Sequence, residues 1–536
     1  MTTQSDAGNS PQTTSETAAG QASSAVPAPL KGGMLVLAST ALALATFMNV
    51  LDTSIANVSI PAISGDLAVS SSQGTWVITS FAVANAIAVP LTGFLAQRFG
   101  AVRLFVSSIL LFVTASWLCG MATSLGMLIV FRVIQGAVAG PMIPLSQSLL
   151  LSSYPKAKAG SALAIWSMTT LIAPVIGPLL GGWITDNISW PWIFYINIPV
   201  GLLAASVTWM LYRKRETPTR LVPIDYVGLI ALIIWVGALQ IMLDKGNELD
   251  WFASTQIVIL AIVAAVGFCF FLIWEFTEAH PIVDLSLLRR RNFWSGTLAL
   301  AVGYGVFFGN VVLMPLWLQQ DMGYTATIAG AVLAPVGLLA ILFSPWVGKN
   351  VHKYDPRLFA TVAFSIFALI LWMRSQFTVQ TDFVTIMLPS LIQGIAMAAF
   401  FIPLMTLIFS GLSPDKIPAA SGLSNFLRIT AGAIGASVFT SLWENRAIEH
   451  HATLVEHINY ASPTTQAAIK VLTDSGMSQQ QALGQIDNLI NQQAFTLAAD
   501  QLFWISALLF LALIGLIWLA RPAKATPPSA EAAAAH

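Results

Sequence analysis

The sequence predicts an all-α membrane protein of fourteen crossing helices, organised as two six-helix halves with two further helices inserted between them. Three observations predict it. Of 536 residues, 56% are hydrophobic and only 9% are charged, whereas a soluble chain carries about 25% charged residues. Apolar runs of the length a helix needs to cross roughly 30 Å of hydrocarbon recur along the chain. A short polar motif also returns at the same place in the second half of the chain. The formal charge of zero implies no nucleic-acid partner.

The chain opens with a stretch rich in Ser, Thr, Gln and Ala, holding Asp6 and Glu16 and no cation before Lys31. That is not the basic start of a secretory signal, so residues 1–32 are expected to form a disordered cytoplasmic tail, and 523–536 likewise. Between the tails, runs long enough to span fall at 34–60, 73–95, 103–122, 127–151, 160–184, 190–212, 225–243, 255–274, 293–317, 326–346, 358–377, 383–410, 419–441 and 500–520. Basic residues set the orientation. With the N-terminus inside, eighteen Lys and Arg fall on the cytoplasmic side. Four fall opposite (Lys245, Arg374, Arg446 and Lys470), and Arg132 and Arg428 stay inside helices. An even number of spans returns the C-terminus to the cytoplasm.

Ile134-Gln135-Gly136 followed by Ile143-Pro144-Leu145 recurs as Ile392-Gln393-Gly394 followed by Ile402-Pro403-Leu404. Gly93, Arg98 and Arg103 after the second span are echoed by Gly348, Lys353 and Arg357 after the tenth. The repeat pairs spans 1–6 with spans 9–14. It divides the chain into a first half at 33–212, an insert at 213–292 and a second half at 293–522. Within the last, 442–499 is a polar, Gln-rich periplasmic segment, read either as a connector or as a docking surface.

An ionisable side chain at membrane depth costs roughly 2.5–3.5 kcal/mol, so each one invites a functional reading. Asp52 is the only carboxylate well inside a predicted span, and Arg132 and Arg428 are the only intramembrane cations. Asp52 and Arg132 fall at similar depth, and Asn49 shares a helical face with Asp52. Desolvation penalises a charged carboxylate and a nearby arginine favours it, a balance that suits proton exchange. Asp52 as a helix-end residue solvated at the interface, Arg132 as a static packing partner, and Arg428 as glue between helices, are the alternatives. Trp76, Trp117, Trp166 and Met168 fall in helices able to line a cavity for flat apolar compounds, and Asn49, Gln135 and Arg428 are assigned to the same cavity. Cys119 and Cys269 lie in apolar runs and read as small hydrophobes. Glu449, His450, His451, Glu456 and His457 read as a solvent-facing polar segment rather than a metal site, and no cofactor is expected. There is no phosphate-binding loop of the G-x-x-x-x-G-K-[ST] kind and no enzyme-like triad.

Four motifs in order then carry a resemblance. Leu51-Asp52-Thr53-Ser54-Ile55-Ala56-Asn57 resembles the first-span signature of the 14-spanner drug:proton antiporters of the major facilitator superfamily. Gly93 to Arg103, with Arg98 and Gly100, resembles the loop motif common to major facilitators, with Gln97 where Asp is usual. Leu128 to Gly140 resembles the fourth-span motif. Ala173 to Gly182, with Pro174, Gly177, Pro178 and Gly181, resembles the fifth-span antiporter motif. Within that family the chain looks closest to the EmrB type. The resemblance implies a major facilitator fold in the cell inner membrane and export of hydrophobic drugs driven by the proton motive force. It further implies an EmrA-like periplasmic adaptor and a TolC-like outer-membrane channel. A dedicated carrier of one metabolite on the same scaffold is the alternative.

Overall fold

In hydrocarbon every backbone N–H and C=O must find a partner within the chain, and a helix alone provides that for an isolated segment. The computed structural model describes residues 29–521 apart from 70, 156–157, 221–222, 325, 457 and 459–461. Both predicted tails therefore fall almost wholly outside the described residues. The first half runs α1 (Gly32–Asp66), α2 (Ser71–Gly74), α3 (Trp76–Ala88), α4 (Thr92–Phe99), α5 (Ala101–Gly120), α6 (Leu125–Ala139), α7 (Met142–Ser153), α8 (Ala159–Asn187), α9 (Trp192–Tyr195) and α10 (Asn197–Tyr212). The insert is α11 (Tyr226–Lys245) and α12 (Thr255–Thr277). The second half runs α13 (Arg291–Gln320), α14 (Ala326–Leu333), α15 (Pro335–Asn350), α16 (Pro356–Arg374), α17 (Phe383–Phe409), α18 (Ile417–Glu456), α19 (Pro463–Asp474) and α20 (Gln479–Trp518).

Among the described residues, twelve helices are long and apolar enough to cross a membrane, and the bent pair α3 and α4 makes a thirteenth. The remaining predicted run, 160–184, is occupied by the 29-residue α8. The bend of 63° between α3 and α4 falls at Pro90, whose ring removes a backbone donor from the helix. Short polar side chains start helices where the chain leaves a loop. Asp225 accepts from the Gly228 N–H, Ser124 from Met127 and Asp382 from Val384 and Thr385.

Equivalent helices pair alike in the two halves. α1 packs on α8 as α13 packs on α18, α3 on α6 as α15 on α17, and α5 on α10 as α16 on α20. The halves meet through α8 with α15 and α17, and through α18 with α4 and α7. The insert stands at the side, α11 against α3 and α18, while Ile262, Val266 and Ile273 of α12 remain exposed where lipid would lie. Within 442–499, the end of α18 and the start of α20 lie side by side, and α19 packs on α20. There the Trp443 indole N–H donates to the Phe495 carbonyl at 2.9 Å. His451 contacts Asp487 at 3.1 Å, and His457 lies outside the described residues.

Candidate functional site

The first turn of the site is local. Arg132 and Gln135 are three residues apart on α6, and Ser116 and Cys119 three apart on α5, so each pair shares a face. These faces converge on Asp52 of α1, only 2% exposed. The Arg132 Nη1 donates to Asp52 Oδ2 at 2.6 Å and to Gln135 Oε1 at 2.7 Å. On the other carboxylate oxygen, Oδ1 accepts from Asn197 Nδ2 at 2.8 Å and Gln135 Nε2 at 3.2 Å. The Ser116 hydroxyl accepts from both amides, at 2.6 Å from Gln135 and 3.1 Å from Asn197. The guanidinium is fixed from behind: its Nε donates to the Val77 carbonyl at 2.9 Å, and it lies 4.3 Å from the Phe81 ring centroid and 5.5 Å from that of Phe194. Arg132 Nη2 is buried without a partner.

A fully desolvated ion pair survives only where further hydrogen bonds complete its valences, and here three donors hold the carboxylate. Asp52 and Arg132, at matching depth in the sequence, are thus in direct contact. Ser116, Asn197, the Val77 carbonyl and the rings of Phe81 and Phe194 complete the site and carry no charge or spacing signal of their own.

The fifth-span glycines pack directly behind this acid. A β-carbon on Gly177 would sit 2.4 Å from the Ser54 hydroxyl oxygen, and one on Gly181 would sit 3.1 Å from the Ile55 carbonyl oxygen. Bare backbone at these two positions lets α8 lie against α1 within one turn of Asp52. Gly182 differs, with nothing nearer than Val58 at 3.9 Å. The side chains of Pro174 and Pro178 lie outside the described ones. Gly136 and Gly140 meet α3 closely at Phe81 and Ala88, as ordinary small-residue packing would.

In the loop motif, a β-carbon on Gly93 would lie 2.5 Å from that of Ala419 in the other half. Gly100 adopts φ +88°, a conformation that glycine tolerates best. Beside it Glu216, from the linker to the insert, accepts at 2.9 Å from the backbone N–H groups of both Val102 and Arg103 and so caps α5. Arg98 is half-buried and the Arg103 side chain is exposed. Glu216 was not foreseen, because nothing in a linker sequence tells which helix end it reaches.

Of the proposed cavity residues, Arg428 stacks on Tyr304 at 4.6 Å and donates to Asn425 Oδ1 from Nε at 3.3 Å and from Nη2 at 3.1 Å. Asn425 in turn donates to Gln147 of the first half at 3.3 Å, and the Ser421 hydroxyl donates to the same Gln147 oxygen. Asn49 spends its amide on the Ala139 carbonyl at 3.3 Å, tying α1 to the end of α6. Trp166 is fully buried, Met168 half-buried, and Trp76 sits at the insert with Lys245 5.7 Å from its ring. Trp117 departs from expectation: it is 48% exposed on the outer face of α5, so its helix turns it away from the interior.

Arg374 is a second correction. Counted by sequence among the external cations, it is 2% exposed, because α16 continues to this residue and the side chain turns back into the bundle. Its Nη2 donates to Gln393 Oε1 at 2.8 Å and Ser390 Oγ at 3.1 Å. Helices also extend beyond the predicted runs, placing Asp244 and Glu275 near the ends of α11 and α12 and Asp500 in the middle of α20, so Asp52 is not the only carboxylate on a spanning helix. Among the described residues no group of three or more His, Cys, Asp or Glu is placed to hold a metal ion.

The family model of the Major Facilitator Superfamily matches residues 42–436. The chain is 52% identical over 495 residues to the multidrug export protein EmrB of Escherichia coli K12, covering 92% of this chain and 97% of that one. It is 49% identical over 494 residues to the fatty acid resistance protein FarB of Neisseria gonorrhoeae, with the same coverage of 92% and 97%. The crystal structure of the human organic anion transporter MFSD10 (TETRAN) aligns at a TM-score of 0.57 with 14% identity, covering 91% of this chain and all of that one, a likeness of fold.

Proposed function

The chain belongs to the major facilitator superfamily of membrane transporters, and from that premise we propose that it exports hydrophobic and amphipathic drugs in exchange for protons. One observation carries the reading. Asp52 is buried at membrane depth with both carboxylate oxygens held by donors and Arg132 at 2.6 Å. Such an acid has two stable conditions. Ionised, it keeps the arginine and both amides; protonated, it loses the ion pair and releases α1 from the guanidinium, which Val77 and Gln135 still hold. Coupling that change to the packing of α1 on α8, through Gly177 and Gly181, gives the proton a means to bias which side is open. Moving one charge through 100 mV supplies about 2.3 kcal/mol, enough for roughly a 50-fold cargo gradient.

Arg428 beside Tyr304, joined through Asn425 to Gln147 of the first half, supports a cargo with an aromatic or polar end, and the likeness to a multidrug export protein supports a broad spectrum. The proposal places the protein in the inner membrane with both termini cytoplasmic. There it works with an EmrA-like adaptor and a TolC-like channel, powered by the proton motive force without a cofactor.

In proteoliposomes with an imposed proton gradient, the wild type should export several members of a panel of lipophilic dyes and weak-acid uncouplers. Asp52→Asn should insert normally and lose the gradient-driven component. Full proton-driven export by that variant overturns the coupling scheme, and indifference to the whole panel favours a single-metabolite carrier.

A further inference from the structure

The two ends of the bundle join the halves differently. At the end bearing the basic loops, backbone meets backbone. A β-carbon on Gly160 would lie 2.3 Å from the Gly348 carbonyl oxygen, one on Gly422 would lie 3.0 Å from the Val89 carbonyl oxygen, and the Gly160 N–H donates to His352 Nε2 at 2.6 Å. At the far end, the last turn of the inserted helix α11 stands between α3 of the first half and α18 of the second and bonds to both. Toward α3, the Thr79 hydroxyl donates to Asp244, and the Lys245 ammonium donates to Thr75 Oγ1 at 3.2 Å. Toward α18, the Ser437 hydroxyl donates to the Leu243 carbonyl at 2.6 Å and the Ser441 hydroxyl to Asn247 Oδ1 at 2.5 Å. Asn247 is held for this task. Asp250 and Trp251 both take left-handed backbone conformations, φ +54° and +50°, an arrangement that persists only where surroundings enforce it. It brings the Trp251 indole N–H to 2.6 Å from the same Asn247 oxygen.

We propose that the end of α11 is a clasp between the halves, permanently seated on α3 and releasably held by Ser437 and Ser441 of α18. This rests on the reading that the halves rock about a central site. When the basic end opens, the far ends of α3 and α18 approach, and a helix wedged between them cannot keep both sets of bonds. The α3 side includes a carboxylate and an ammonium, and charged groups make the stronger hydrogen bonds. The α18 side is two neutral hydroxyls, so it is the side that lets go. Ser437 and Ser441 therefore stabilise selectively the state in which the basic end is closed.

The test reads conformation and needs no cargo. In a Cys269→Ser background, with Cys119 buried, spin labels are placed at Gly126→Cys and Gln380→Cys, exposed positions at the far ends of the two halves. Electron–electron resonance then gives the distance distribution in detergent. Ser437→Ala with Ser441→Ala should move population toward shorter far-end distances with an unchanged melting temperature. Asn247→Ala, which removes the Ser441 acceptor from the other partner, should move it the same way, and Ser437→Thr with Ser441→Thr should restore the wild-type distribution. An unchanged distribution in the folded alanine or Asn247 variant, or a shift to longer distances, overturns the clasp. Failure of drug export in the proteoliposome assay would leave this distance measurement standing, so the two readings fail separately.

Discussion

The first and second halves use the same parts to different ends. Each buries an arginine against the glutamine of an Ile-Gln-Gly motif: Arg132 Nη1 on Gln135 at 2.7 Å, and Arg374 Nη2 on Gln393 at 2.8 Å. In the first half the arginine comes from the motif's own helix, α6, and meets Asp52. In the second it comes from the neighbouring α16 and meets Ser390, with no carboxylate in ion-pair contact among the described residues. A repeat thus conserves a cation–amide contact while the acid occurs once. The proposed proton chemistry is accordingly a property of the first half, not of the scaffold.

The contrast predicts unequal costs. Removing one partner of a buried ion pair strands the other charge, at about 3–5 kcal/mol. Arg132→Leu should therefore lower stability by about that much, while Arg374→Leu, which strands only a neutral amide and hydroxyl, should cost about 1–2 kcal/mol. Thermal unfolding of the two variants in one detergent checks this, and equal losses would erase the distinction between the halves.

How far the sequence could see this follows from what each residue reports. The spans were legible because hydrocarbon demands about 20 apolar residues per crossing, and Asp52 and Arg132 because charge at such depth is conspicuous. Asn197 and Ser116 were not, since neutral polar residues recur in many apolar helices and only packing shows which ones converge. Arg374 was hidden by lying at the last residue of its helix, where counting loop charges assigns it outside. Trp117 lies on a helix whose pattern does not separate the lipid face from the interior face.

What the halves share is close helix approach at a glycine. Gly177 admits Ser54 of α1, and Gly435 of α18 admits the Gly305 backbone of α13. A leucine at either position should cost at least about 1–3 kcal/mol by overpacking and reduce transport, measured by unfolding and vesicle flux. Damage at Gly177 alone would show that only the first half depends on close approach.

The smallest effect concerns the seam between the halves. Burial pushes the His352 imidazole below its ordinary range, and its Nε2 accepts from Gly160, which requires the neutral ring. A base with a lowered value favours the folded state above its unfolded pKa of about 6.5 and loses that contribution as pH falls. Stability of the wild type relative to His352→Ala should therefore be greater by about 1 kcal/mol at pH 8 and shrink toward pH 5. A difference independent of pH would remove the imidazole from the seam.

If Asp52 holds the exchanged proton, counting protons reveals it without a membrane gradient. Purified protein in weakly buffered detergent, first acidified until Asp52 carries its proton and then mixed with a dye it exports, should release protons into solution, and Asp52→Asn should release none while still binding the dye. Release from Asp52→Asn equal to that of the wild type would place the exchange elsewhere in the molecule and contradict the account.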